Sequence, residues 1–257
     1  MINKYDAFIF DLDGTIYRGA KLIPGAKETI NKLKTIKKRV IFISNKTTGT
    51  VQQYYNFLSA HGLNVELSEI INSTEVLKNF LIEYSPDCNF FAIGEDVFIN
   101  ELEEAGFHFT NDPENIEIVI VTLDRTLNYD KLEIAAKALE YGARFFAANI
   151  DNTCPVDNGE ILDAGATISA LEKRTHKKLE QHFGKPSKHM MNLIKERLQV
   201  PLNKCLIIGD RLETDITMGN KFGLDTALVS TGVINISDEN LNVIPTYKFN
   251  SVFDLIK

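Results

Sequence analysis

Short runs that are almost wholly apolar recur along this chain, and no other feature constrains its fold as much. They are Ala7-Phe8-Ile9-Phe10, Val40-Ile41-Phe42-Ile43, Phe90-Phe91-Ala92-Ile93, Ile118-Val119-Ile120-Val121, Phe145-Phe146-Ala147-Ala148, Cys205-Leu206-Ile207-Ile208 and Thr226-Ala227-Leu228-Val229. A strand with no polar alternation has no face to offer to water, so each run reads as a strand covered on both sides. The intervening stretches carry helical spacing instead: Ala26, Ile30 and Leu33 after Pro24-Gly25, then Val51, Tyr54, Tyr55 and Leu58. Gly62 is placed to end the second of these, and Ser73 to N-cap a helix over Glu75 to Tyr84. Asp96 to Ala105 and Tyr129 to Tyr141 read as further helices, stopped by Gly106 and Gly142. Strands alternating with helices predict an α/β fold, a parallel sheet with helices on both faces.

Composition narrows the function classes. At 257 residues with 44% hydrophobic and 25% charged residues, the chain can bury a sizeable core or two. A formal net charge of -7 argues against a nucleic-acid partner. Three scattered cysteines, Cys88, Cys154 and Cys205, without C-x-x-C, point to neither a disulfide framework nor a zinc site. The five histidines show no H-x-x-x-H spacing. No apolar run approaches the roughly 18 residues of a membrane span, and the N-terminus runs directly into the first strand, so no membrane association and a cytoplasmic location are expected.

Polar residues directly follow several of these strands, at the edge where open α/β sheets bind ligands. Asp11-Leu12-Asp13-Gly14-Thr15 places two carboxylates two residues apart beside a glycine that permits a sharp turn. Two such charges are costly side by side unless a cation joins them, and a hard divalent ion with oxygen ligands fits. Against that stands the ordinary Asp-rich turn. Gly209-Asp210-Arg211-Leu212-Glu213-Thr214-Asp215 brings two more carboxylates after another strand, with Asp215 alternatively an N-cap. Ser44-Asn45 offers a hydroxyl and an amide that can donate to phosphate oxygens, or merely a turn. Gly184-Lys185-Pro186-Ser187 offers a fixed positive charge, or a solvated lysine.

Taken in order, these pieces resemble the haloacid dehalogenase superfamily of phosphatases. Motif one is Asp11 to Thr15, motif two Ser44, motif three Lys185, and motif four Asp210 with Asp215. Asp13-Gly14-Thr15-Ile16-Tyr17-Arg18-Gly19, Ile23-Pro24-Gly25-Ala26, Ser230-Thr231-Gly232-Val233 and Ala148-Asn149-Ile150-Asp151-Asn152-Thr153-Cys154-Pro155 look like subfamily IIA, the p-nitrophenyl phosphatase and NagD-type enzymes. Departures are Lys46 in place of a second Asn, Glu213 in place of Asp and Phe222 in place of a small residue.

The resemblance implies a Rossmann-like core over residues 1–79 and 180–257, with an inserted α/β cap of C2 type over 80–179. It implies a Mg²⁺-dependent phosphatase acting on small phosphate monoesters of metabolites, such as sugar phosphates or nucleoside monophosphates. In that reading Asp11 is the nucleophile and Asp13 the acid and base. Asp11, Asp13 (through its main-chain carbonyl) and Asp210 hold the metal. Ser44, Asn45 and Lys185 hold phosphate, and Asp215 supports them from behind. Asn149 and Asp151 are the expected specificity residues of the cap, and a homodimer formed through the cap is a further implication. A mutase-like phosphoryl transferase and a catalytically silent phosphate-binding module share the same motifs. A dehalogenase fits less well, because halide departure needs no proton donor and Asp13 is present.

Overall fold

A computed structural model describes residues 1–156, 159–232 and 243–257. Along the chain, strand β1 (Ala7–Asp11) leads through a small hairpin, β2 (Tyr17–Arg18) and β3 (Lys21–Leu22), to helix α1 (Ala26–Thr35). Then come β4 (Arg39–Ser44), α2 (Val51–Ala60), β5 (Ile70–Asn72), α3 (Ser73–Tyr84), β6 (Asn89–Ile93), α4 (Asp96–Glu103) and β7 (His108–Phe109). They are followed by β8 (Ile118–Val121), α5 (Tyr129–Tyr141), β9 (Arg144–Ala147), β10 (Thr153–Val156), β11 (Gly159–Leu162), α6 (Ala164–Thr175) and β12 (Gln181–His182). The chain ends with α7 (Lys188–Leu198), β13 (Cys205–Gly209), α8 (Thr217–Phe222), β14 (Asp225–Val229) and β15 (Tyr247–Phe249). Each apolar run of the sequence is a strand, as expected of segments whose every side chain must leave water.

The chain divides into two compact units. The first comprises Met1–Ser44, Val51–Ile71 and Lys185–Lys257 and is built on a six-stranded sheet of order β15-β14-β13-β1-β4-β5. Its central strand β1 pairs in parallel with β4 and with β13. Phe8, Phe10 and Phe42 stack across those strands, and Ile30, Leu33, Leu58 and Ile208 complete a fully buried core around them.

The second unit comprises Asn45–Thr50 and Asn72–Gly184. It has its own parallel sheet of order β12-β9-β8-β6-β7 and its own core, centred on Ile93, Val119, Val121, Leu139 and Phe145. The boundary expected at 79/80 falls inside α3, whose single run of helical hydrogen bonds cannot be divided between two units; the chain crosses at 71/72 and again at 184/185 instead. The short segment 45–50 also belongs to the second unit, an assignment that no composition signal announces.

The caps explain where the helices begin and end. Asn72, not Ser73, caps α3: its Oδ1 accepts from the backbone N–H of Glu75, while the Ser73 hydroxyl donates to the carbonyl of Asn45. Gly142 closes α5 in the left-handed conformation. Ser187 caps α7 by accepting from the N–H of Met190.

Candidate active site

Three strands of the first sheet end side by side. Asp11 pairs with Ile43 and Phe10 with Ile208, so Ser44 and Asp210 each follow immediately beyond the neighbours of Asp11. The parallel register thus gathers the polar residues after β1, β4 and β13 at one edge, as expected for this class of sheet. Asp11, Ser44 and Asp210 are all buried there.

Lys185 enters from the turn before α7 and is 3% exposed. Its Nζ donates to Asp11 Oδ1 at 2.5 Å and to Asp215 Oδ1 at 2.8 Å. Asp215 is fully buried inside a π-helical turn, Leu212–Ile216, that precedes α8. Its Oδ2 accepts from the N–H of Arg211 and the hydroxyl of Thr214. Asp215 therefore does not cap the helix that follows; both its oxygens serve to hold Lys185 and the turn. A π-helical turn tucks in the extra residue needed to aim a side chain inward.

The charges do not balance. The Lys185 ammonium, with the Arg211 guanidinium nearby, faces three buried carboxylates, Asp11, Asp210 and Asp215, whose oxygens lie within 4.8 Å of one another. Burial pushes the Asp11 carboxyl up to about 7 even though Lys185 pulls the other way. Burial, then the neighbouring Asp11 and Asp215, pushes Asp210 well above the usual carboxylate range. Burial alone would lower the Lys185 ammonium, but Asp11 and Asp215 outweigh it and hold the lysine charged.

Two of these oxygens, Asp11 Oδ2 and Asp210 Oδ2, are buried and have no hydrogen-bond partner among the described residues. An unpartnered buried carboxylate oxygen is costly. The backbone closes on the second of them. A Cβ placed on Gly14 would lie 2.3 Å from Asp210 Oδ2, and one on Gly232 only 1.6 Å from it. Gly14 also has φ +92°, which favours glycine on its own account, and its carbonyl accepts from the Thr231 hydroxyl at 2.6 Å. Val233, the last residue of that motif, lies outside the described residues. The Asp11, Asp210 and Asp215 group is one that could hold a metal ion, and the two orphaned oxygens are those with capacity to do so. Asp13 is half-buried and its carboxylate lies outside this group.

The remaining expected residues lie in the second unit. Asn45 turns its side-chain amide to Asp151, donating to Oδ2 at 2.8 Å. Asn149 is 1% exposed and spends both amide hydrogens inside the protein, on Asp151 and Asp163, each at 3.0 Å. Its carbonyl accepts from Thr122. Asn149 and Asp151, the expected specificity residues, thus sit in a hydrogen-bonded network in which Thr47, Thr122 and Asp163 also take part. Thr122 directly follows an apolar strand, as Ser44 does, and that position was the signal by which sequence reasoning could have found it.

A haloacid dehalogenase-like hydrolase family model matches residues 8–108, and a HAD-hydrolase-like model matches 182–255. The chain is 32% identical to the sugar-phosphatase AraL of Bacillus subtilis over 249 residues, 97% of this chain and 91% of that protein. The crystal structure of a 4-nitrophenylphosphatase from Thermotoga maritima superposes with a TM-score of 0.90 at 30% identity, covering 99% of this chain and 97% of that one. NagD from E. coli superposes with a TM-score of 0.84 at 29% identity, covering 97% of this chain and 98% of that one. Sequence, fold and the order of the acidic motifs agree: the chain belongs to the haloacid dehalogenase-like hydrolases, in the subfamily IIA branch that holds the p-nitrophenyl phosphatases and NagD.

Proposed function

We propose that this chain is a Mg²⁺-dependent phosphatase that hydrolyses small phosphate monoesters, sugar phosphates among them, through an aspartyl-phosphate on Asp11. The observation that carries the reading is the excess of buried carboxylate around Lys185, with Asp11 Oδ2 and Asp210 Oδ2 left unpartnered. The names of relatives support the substrate class, since they include a sugar phosphatase and a 4-nitrophenylphosphatase.

Asp11, Asp210 and the main-chain carbonyl of Asp13 would hold the divalent cation. When bound, it supplies positive charge that lets a carboxylate and a phosphate dianion approach one another. The protein does the rest. Lys185, held charged by Asp215, and the hydroxyl at Ser44 bind phosphoryl oxygens. The Asp11 carboxylate attacks phosphorus in line, and the bond to the leaving oxygen breaks. Asp13 gives that oxygen its proton, then takes a proton from the water that attacks the aspartyl-phosphate. Orthophosphate leaves and both carboxylates return to their starting states.

The test is hydrolysis of p-nitrophenyl phosphate and of a panel of sugar phosphates, with Mg²⁺, after EDTA, and with Mg²⁺ restored. Turnover that stops in EDTA and returns with Mg²⁺ is expected. Full turnover by metal-free protein would sink the metal dependence, and transfer of the phosphoryl group to a sugar rather than to water would favour a mutase.

A further inference from the structure

The residues after Ser44 are held at every second position. The Asn45 side chain donates to Asp151 Oδ2, and its carbonyl accepts from the Ser73 hydroxyl at 2.8 Å. The Thr122 hydroxyl donates to Asn149 Oδ1, so the short contact at 2.6 Å between Thr47 and Thr122 must be donated by Thr47. The carbonyl of Gly49 accepts from Asn72 at 3.1 Å, the residue that also caps α3. All of these partners belong to the second unit.

The partners are themselves fixed. Asp151 Oδ2 accepts from both Asn45 and Asn149, and its main-chain carbonyl accepts from the N–H of Gly165. Asp163 Oδ1, which shares Asn149 with Asp151, also accepts from the N–H of Ala164 at the start of α6. Asn149, Thr122 and Thr47 are all nearly inaccessible to water. Asp151 is thus the junction through which the carboxyl edge of the second sheet grips the residue next to Ser44. A carboxylate accepting two side-chain amides makes charge-assisted bonds, stronger than neutral ones.

We propose that Asp151 is a positioning residue for phosphate binding. Acting through Asn45, it sets the conformation of the 45–50 segment and so of the Ser44 hydroxyl and the main chain beside it; it does not select the leaving group. This rests on the reading of Ser44 as a phosphate-binding residue. Preorganised donors lose their effect when their supports are cut, commonly by about 10- to 100-fold.

The experiment measures calorimetric binding of inorganic phosphate in the presence of Mg²⁺, with KM and kcat for p-nitrophenyl phosphate and for a sugar phosphate. The proteins are wild type, Asp151→Ala, Asp151→Asn, Asn45→Ala and the Asn45→Ala/Asp151→Ala double variant. Each alanine variant should weaken phosphate about tenfold and raise KM by a similar factor on both substrates, with a smaller change in kcat. The double variant should be no worse than either single one, because both cut the same link. Asp151→Asn keeps an acceptor oxygen and should recover most of the affinity. A loss confined to the sugar phosphate would overturn the proposal, since Asp151 would then act on the leaving group. Unchanged phosphate affinity with a lower melting temperature would overturn it too, leaving a purely structural role. Phosphate binding by a wild type without turnover would refute the phosphatase reading alone, and the binding comparison would still decide the role of Asp151.

Discussion

Two buried polar clusters sit at the carboxyl edges of two parallel sheets, and they are built on opposite principles. In the first unit, Asp11, Asp210 and Asp215 crowd around one lysine, and two carboxylate oxygens have no partner among the described residues. In the second unit, Asn149 satisfies its carbonyl and both amide hydrogens within a network of Thr122, Asp151 and Asp163. The second cluster obeys the rule that buried polar groups find partners. The first violates it, at the expense of two carboxyls pushed upward by burial. A polar cluster closed upon itself specifies a structure; one left open specifies a ligand.

The largest effect that tests this contrast is at the nucleophile. Asp11→Asn keeps the shape of the open cluster but removes the charge that attacks, so kcat should fall by on the order of 10³ or more while the fold persists. Circular dichroism and p-nitrophenyl phosphate turnover, on protein shown by mass to be free of deamidation, check it; normal turnover would end the aspartyl-phosphate mechanism.

Stability should respond in opposite directions in the two clusters. In the open one, Asp210→Asn removes a buried charge from an over-acidic group, so the metal-free protein should gain roughly 1–3 kcal/mol. The same variant should lose the rise in melting temperature that Mg²⁺ gives the wild type. In the closed cluster, Asn149→Ala removes three hydrogen bonds and leaves the Thr122 hydroxyl without its acceptor, and should cost about 1–3 kcal/mol, with or without Mg²⁺. Urea melts of both variants decide the matter; a destabilising Asp210→Asn would show that its charge is already compensated within the protein.

The smallest expected effect asks whether the tension stays local. Cys205 lies at the start of β13 in the first unit and Cys88 lies in the second. Burial pushes both thiols up to about 11, so each should label slowly in the native protein at pH 8. Removing Mg²⁺ should speed labelling of Cys205 several-fold and leave Cys88 unchanged, if each unit opens separately. Equal acceleration at both thiols would mean that the units open together.

Much of this was legible in the sequence, and the rest was not for identifiable reasons. The apolar runs announced the strands because each is short and bounded by turn or helix signals, as a strand buried on both faces is. Strands without such a run stayed hidden: Gln181–His182 forms β12 only because β9 offers a parallel edge. Asp11, Lys185, Asp210 and Asp215 were found because each lies beside a strand end or a helix start, and the structure brings all four together. The network around Asn149 is not legible, because a polar residue in sequence carries no sign of what faces it. Thr47 meets Thr122 and Asn45 meets Asp151 across 75 and 106 positions, and that distance no local pattern can span.

The insertion of the second unit between β4 and α7 also has a consequence for how the protein is made. Asp11 and Lys185 are 174 positions apart. At ordinary rates of synthesis the nucleophile waits on the order of ten to thirty seconds for its counter-ion to leave the ribosome. Strand β1, central in its sheet, waits longer still for β13, which follows Lys185 in the chain. By then residues 72–184 have emerged as an unbroken stretch that forms nearly all of the second unit, with a core of its own. Lys185 emerges ahead of Asp210 and Asp215, so the cation that pairs with Asp11 is available before the second and third carboxylates of the group.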